Sequence, residues 1–339
     1  MKNQIITKKK KRKGSRRISS LFLFCLFFIK AGVFSLIGQP PDNGPWKLHF
    51  HSGFEGDIVI EPRDAQITGF KGTDSSVPEP NDWTVHMDRP PILDFDVFYE
   101  QGDLSQREAT IVKDPTNPDN RVLKHEIRDI HVKNRKCRIQ CQTYPEKNLR
   151  RFYYKYRFYL AKEWHTIKNW KDELSHVIEN EFWSGTPWRD EYSWRLHTKI
   201  EKEEGAGKPF HFGVSAEIID WPENPGDRQT TLDTTNKQFD IPIETWITVE
   251  FYAKEGDENN GRLYYAVTPE GGEKTVIFDL VTLTTNPHDP NPDGFQFINM
   301  LKSYFRRDVI TYLKSQGEIY VIYWDDFELY VPEENYEPI

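Results

Sequence analysis

Arg151-Phe152-Tyr153-Tyr154-Lys155-Tyr156-Arg157-Phe158-Tyr159-Leu160 is the stretch on which the fold turns. Successive side chains of a strand point to opposite faces. An extended reading therefore puts Phe152, Tyr154, Tyr156, Phe158 and Leu160 on one face and Arg151, Tyr153, Lys155, Arg157 and Tyr159 on the other. The first face is a core, and the second is basic and aromatic. The same period recurs downstream. Residues 177–183 alternate Ile178, Asn180 and Phe182 against Glu179, Glu181 and Trp183. Residues 192–200 set Tyr192, Trp194, Leu196 and Ile200 against Arg195, His197 and Lys199, and residues 210–219 set Phe212, Val214, Ala216 and Ile218 against His211, Ser215 and Glu217. Lys124, Glu126 and Arg128 form a fifth polar row.

Turn-rich pieces such as Asn224-Pro225-Gly226 and Asn259-Asn260-Gly261 punctuate these segments, and no long amphipathic helix competes with them. Residues 39–118 are broken by Pro, Gly, Asp and Asn, which reads as irregular or edge-strand structure. The pattern predicts an all-β fold, a jelly-roll sandwich of two antiparallel sheets. Residues 284–294, with three prolines, are expected to be a lid or connector.

The chain has 339 residues, 45 Lys and Arg against 53 Asp and Glu, and a net charge of −8. The first 38 residues carry ten of those basic residues and no acid, leaving 35 against 53 beyond them. A body that acidic is not built for general nucleic-acid binding, which rests on clustered Lys and Arg. Hydrophobic residues are only 37%, but ten Trp, sixteen Tyr and twenty-two Phe supply the buried area a disordered chain lacks. The basic residues 8–13 and Arg16-Arg17, followed by apolar runs on either side of Lys30, read as a signal peptide over residues 1–38. Lys30 splits the apolar stretch below the roughly 20 residues a spanning helix needs. The expectation is a secreted or periplasmic protein, not held at a membrane after signal removal, with residues 39–339 as a single domain. Cys137 and Cys141 lie too far apart for a disulfide on a straight strand; a bulge or turn could join them, or both stay free.

If the polar rows share one sheet, its open face carries Arg, Lys, His, Glu, Tyr and Trp together. Rings stack on the apolar faces of sugars, and charged groups hold hydroxyls and uronate carboxylates. A solvated outer face of an antiparallel sheet gives the same alternation. The excess of Arg, His and Tyr over commoner surface residues favours the sugar reading. Glu126, Tyr153, Lys155, Arg157, Glu179, Glu181, Trp183 and Arg195 are the candidate substrate-binding residues.

Lys124-His125-Glu126-Ile127-Arg128 is similar to the Arg-x-Glu-Leu-Arg strand of concanavalin-like jelly-roll polysaccharide lyases of the alginate, glucuronan and heparin lyase types. Tyr159-Leu160-Ala161-Lys162-Glu163-Trp164 resembles a further strand end of that family. Ser175 to Trp183 stands where its Gln-x-His strand would be, and Phe297 to Tyr304 resembles its late Lys-x-Gly-x-Tyr strand. Ile322 to Leu329 resembles its closing strand. Two departures are plain: His176 is displaced from the Gln-x-His register, and no Gly stands between Lys302 and Tyr304.

The resemblance implies a polysaccharide lyase acting by β-elimination on an anionic, uronic-acid-containing polymer. Arg128 is then expected to neutralise the uronate carboxylate, His197 or His211 to act as base, and Tyr304 as acid or as both acid and base, with Lys302 beside it among the catalytic residues. A glycoside hydrolase using Glu179 and Glu181 is the rival enzyme. A noncatalytic carbohydrate-binding protein is the third reading, kept open by the unmatched Gln-x-His. Glu55 near the start and Asp325-Asp326 near the end resemble the pair that holds a structural calcium in jelly-roll modules. Adjacent strand residues point oppositely, so only one of those aspartates can be a ligand. No organic cofactor is expected.

Overall fold

The computed structural model describes residues 42, 44–64, 67–99, 104–130, 137–146, 149–185, 192–220 and 226–335. In chain order the strands are β1 (Trp46–Ser52), β2 (Val59–Pro62), β3 (Ile67–Lys71), β4 (Asp96–Phe98), β5 (Arg107–Lys113), β6 (Arg121–Ile127), β7 (Cys137–Thr143) and β8 (Arg151–Leu160). After helix α1 (Trp164–Lys168) come β9 (Leu174–Ser184), β10 (Trp194–Lys202), β11 (Phe210–Asp220), β12 (Asp227–Asn236), β13 (Trp246–Lys254), β14 (Arg262–Pro269), β15 (Thr275–Val281) and β16 (Phe297–Phe305). Helix α2 (Arg307–Ser315) and β17 (Tyr320–Pro332) follow. No helix among the described residues is long and apolar enough to cross a membrane.

The strands make the expected jelly-roll sandwich of two antiparallel sheets. Sheet A runs β15-β14-β13-β8-β17-β6-β5, and β1 pairs with the second half of β17. Sheet B runs β12-β11-β10-β9-β16-β7-β4-β3-β2. The alternation of residues 151–160 is the fold in miniature: Phe152, Tyr154, Tyr156, Phe158 and Leu160 are all buried in the main core. They meet the inward rings of the other sheet. Phe182 of β9 lies 5.1 Å from Phe152 and 4.6 Å from Phe251, and Phe212 of β11 lies 5.2 Å from Tyr265. Such rings bury roughly 1.5–3 kcal/mol each relative to solvent, so the face that period two assigns to the core is the one folding has to bury.

The described residues between 42 and 118 are more regular than the composition of this stretch suggests. Asp82 caps a short π-helical turn (Trp83–Met87) by accepting from the Thr84 and Val85 N–H groups. The turn sets Trp83 4.5 Å from Phe50 and 4.2 Å from Phe70, sealing one end of the core. Residues 284–294 act as a connector. Asn286 donates to the carbonyls of Ser193 and Ile219, tying the segment to sheet B. Cys137 and Cys141 both face the core as free, buried thiols, and burial pushes both up, Cys137 to about 12.

Two bulges break the alternation where sheet B matters most. Against β10, Glu181 pairs with His197 and Asn180 with Thr198, but Lys199 pairs with Ile178, leaving Glu179 as the extra residue. On β16 the register against β7 slips between Met300 and Ser303, with Leu301 in the left-handed region at φ 46°. The two bulged strands are neighbours, and a bulge re-aims the side chains that follow it.

Candidate functional site

The outer face of sheet B gathers Arg138, Gln140 and Gln142 from β7, Asn299, Lys302 and Tyr304 from β16, Glu181 and Trp183 from β9, and Arg195 and His197 from β10. The ladders place them: Asn299 pairs with both Gln142 and Glu181, Tyr304 with Arg138, and His197 with Glu181. Their strand neighbours Cys137, Ile139, Cys141, Phe182, Leu196 and Met300 fill the core.

Glu181 is the hub. Its Oε1 faces His197 Nε2 at 3.0 Å and Arg195 Nη1 at 3.4 Å; its Oε2 accepts from Asn299 Nδ2 at 3.2 Å and pairs with the Lys302 ammonium. Burial disfavours its charge, but Lys302, His197 and Arg195 together hold the carboxyl well below the usual range. An ionised carboxylate only accepts. The nitrogen of His197 that meets it, Nε2, is therefore the protonated one, and Nδ1 is the basic position of the neutral ring. Burial pushes His197 down despite Glu181, which keeps the imidazole neutral near pH 7. Lys302 is lowered to about 7 by burial and by the nearby Arg138 and Arg195, against the pull of Glu181.

Tyr304 stands at the half-buried rim of this cluster. The Arg138 guanidinium carbon lies 5.0 Å from its ring centroid and Lys302 Nζ 5.8 Å. Arg138 also donates to Gln140, which donates on to Gln142 at 2.7 Å. On the same face, Trp183 lies 4.4 Å from Phe297, which leans on the exposed Tyr144 at 4.9 Å. Cations, amides, a phenol and rings thus line one surface, the mixture suited to sugars and carboxylates.

The structure brings together five of the expected residues, Glu181, Arg195, His197, Lys302 and Tyr304, with Trp183 on their flank. It separates the others. Glu126 and Arg128 belong to sheet A, where Arg128 pairs with Glu126 and Glu108, so the structure places Arg128 apart from the cluster around Glu181. Tyr153, Lys155 and Arg157 project from the outer face of sheet A. Tyr153 is buried with Tyr252 and Tyr264 and bonds Glu250; Lys155 pairs with Glu328; Arg157 lies on Trp246 and pairs with Asp326. The polar rows alternate as expected but lie on two sheets, which period two in one strand does not distinguish. The bulge turns Glu179 into the core, where its Oε2 accepts from Tyr265 at 3.0 Å, so the Glu179 and Glu181 pair does not exist as a surface pair. His211 is on the right sheet, but it pairs with Glu201, four residues along β10 from His197. That is about 13 Å at strand rise.

Arg138, Gln140, Gln142 and Asn299 were missed, although Cys137 to Thr143 alternates cleanly between apolar and polar residues. The calcium expectation finds Asp325 and Asp326 beside the Gly53 turn, near Asp74. Burial and Asp326 raise Asp325 to about 8, Asn120 and Arg157 engage it, and Glu55 accepts the Arg121 N–H. Among the described residues no group of three His, Cys, Asp or Glu side chains is placed to hold a metal.

No family model and no curated protein matches the chain. Solved structures resemble it in chain path. An endo-β-1,4-glucuronan lyase from the fungus Trichoderma reesei is 14% identical, with 70% of this chain and 91% of that one covered and a TM-score of 0.43. A PL-14 alginate lyase from Aplysia kurodai is 10% identical over 74% and 94%, TM-score 0.46, and an alginate lyase from a Chlorella virus 12% identical over 66% and 89%, TM-score 0.39. No residue role is carried over from them.

Proposed function

We propose that the chain binds an anionic, uronate-bearing polysaccharide across the outer face of sheet B and cleaves it by β-elimination. The observation that carries this reading is the convergence of Arg138, Tyr304, Lys302, Glu181 and His197 on one face. In the proposed reaction Arg138, with the amides of Gln140 and Gln142, meets the uronate carboxylate and makes the C5 proton acidic. Tyr304, at the half-buried rim, takes that proton as its phenolate, while His197, wholly buried with Nδ1 closed to solvent, holds Glu181 in place through its Nε2–H. Electrons form the C4–C5 double bond as the C4–O bond breaks, and Tyr304 gives its proton to the leaving oxygen. Lys302 keeps Glu181 ionised and the imidazole oriented. Hydrolysis needs a second carboxylate, and the one expected, Glu179, is in the core. Export belongs to this reading, and the leader that suggests it lies outside the described residues.

The test is ultraviolet absorbance of the unsaturated product, run beside a reducing-end assay over a panel of uronate polymers. Both signals should rise together, and Tyr304→Phe should lower the rate by roughly 10²–10⁴-fold with the fold intact. Reducing ends without absorbance would mean hydrolysis. Binding without either signal would make this face a carbohydrate-binding surface.

A further inference from the structure

Beyond Tyr304, β16 runs through Arg306 into α2, and this corner bounds a cleft of which the reaction uses only Tyr304. It has a volume of about 760 Å³ and is lined by Trp170, Tyr304, Arg306, Arg307, Asp308 and Tyr312, among others. That lies within the size range of small-ligand sites. Trp170, in the connection from α1 to β9, faces Tyr312 of α2 at 4.9 Å between ring centroids, and both rings are only partly buried. Arg306 pairs with Asp308, whereas no described side chain pairs with the exposed Arg307. The wall therefore offers two guanidiniums against one carboxylate in a chain whose net charge is −8.

Tyr304 lines this cleft, and its ring also meets Arg138 and Lys302 of the cluster around Glu181, so the two adjoin at that residue. A polymer held with its scissile bond at Tyr304 must continue along the surface on either side, and on the α2 side it meets this cleft. We propose that the cleft is a separate subsite for the continuing chain of the same anionic polysaccharide. Trp170 and Tyr312 offer ring faces to a sugar, and Arg307 pairs with a uronate carboxylate two or more sugars from the bond being broken. This rests on the substrate class proposed above but not on the β-elimination step.

The experiment uses the full protein and uronate oligosaccharides graded from dimer to octamer. In the wild type kcat/KM should climb with length until the cleft is filled. In Arg307→Gln and Tyr312→Ala that climb should flatten, about a tenfold loss on the octamer carried by KM rather than kcat. Both positions are on the surface of α2, and an unchanged melting temperature would show the fold is kept. A length dependence identical to wild type in the double variant would overturn the proposal. If no uronate polymer is cleaved, the β-elimination reading fails by itself, and tryptophan fluorescence titrated with the octamers decides the subsite. Length-dependent binding that the variants lose would sustain it; binding that they leave unaltered, or none, would overturn it.

Discussion

Glu179 and Glu181 stand two residues apart and hold opposite charge states. Glu181 is kept ionised by the cations around it, while Glu179, wholly buried beneath Tyr265, is pushed up to about 8 by loss of solvent. In the unfolded chain Glu179 ionises near its ordinary value of about 4.3. Between there and about pH 8 the folded state holds a proton that the unfolded state has lost, so stability falls as pH rises through that window and levels off above it. Each pKa unit is worth roughly 1.4 kcal/mol, so the effect amounts to several kcal/mol at most. Glu179→Gln should remove this slope, and melting temperatures from pH 5 to 9 should show the variant gaining on wild type as pH rises. A constant offset between the two would show that Glu179 does not titrate in this way. At this scale the sequence showed the residue types but not their direction. Glu181, Arg195 and His197 were legible because they follow an unbroken period, and Glu179 was not because one extra residue reverses it.

At the scale of elements, strands were readable wherever a core face and a polar face alternate, and the bulges of β9 and β16 were not, since a bulge leaves the alternation intact on either side of itself. Helix α2 also escaped, being nine residues placed between two strands. The end of β10 shows another device that no pattern announces. Lys202 is buried, and the three N–H donors of its ammonium face the carbonyls of Trp170 at 2.8 Å, Asp172 at 3.2 Å, Glu203 at 3.0 Å and Gly205 at 2.9 Å, one donor being shared. One cation thereby closes two loops around the strand end and fixes the backbone that carries Trp170. Lys202→Met keeps the length but strands the carbonyls, and a buried unsatisfied group costs about 1–3 kcal/mol. The expected outcome is a lowered melting temperature together with faster amide exchange through residues 168–174 and 203–207. Loss of stability spread evenly over the fold, with no local rise in exchange, would contradict this account.

Across the whole molecule the open question at the sequence level was which strands share a sheet. Each polar row was recognisable alone, but pairing is decided by long-range packing, and β6 and β8 entered sheet A while β9, β10 and β16 entered sheet B. Two arginines therefore compete for one role. Arg128 has the motif position, but its guanidinium is taken up by Glu126 and Glu108 on the outer face of sheet A. Arg138 lacks the motif and lies against Tyr304 in the site. Charge neutralisation of a uronate acts only at contact range, because a surface charge beyond about 8–10 Å is screened at ordinary ionic strength. Arg138→Ala should therefore lower kcat/KM by two orders of magnitude or more on a uronate polymer, since the carboxylate it would meet is the one that acidifies the C5 proton. Arg128→Ala should change kcat/KM by less than about twofold and lower the melting temperature slightly through its lost ion pairs. The reverse ranking would return the site to sheet A and would mean that the cluster around Glu181 is a structural network.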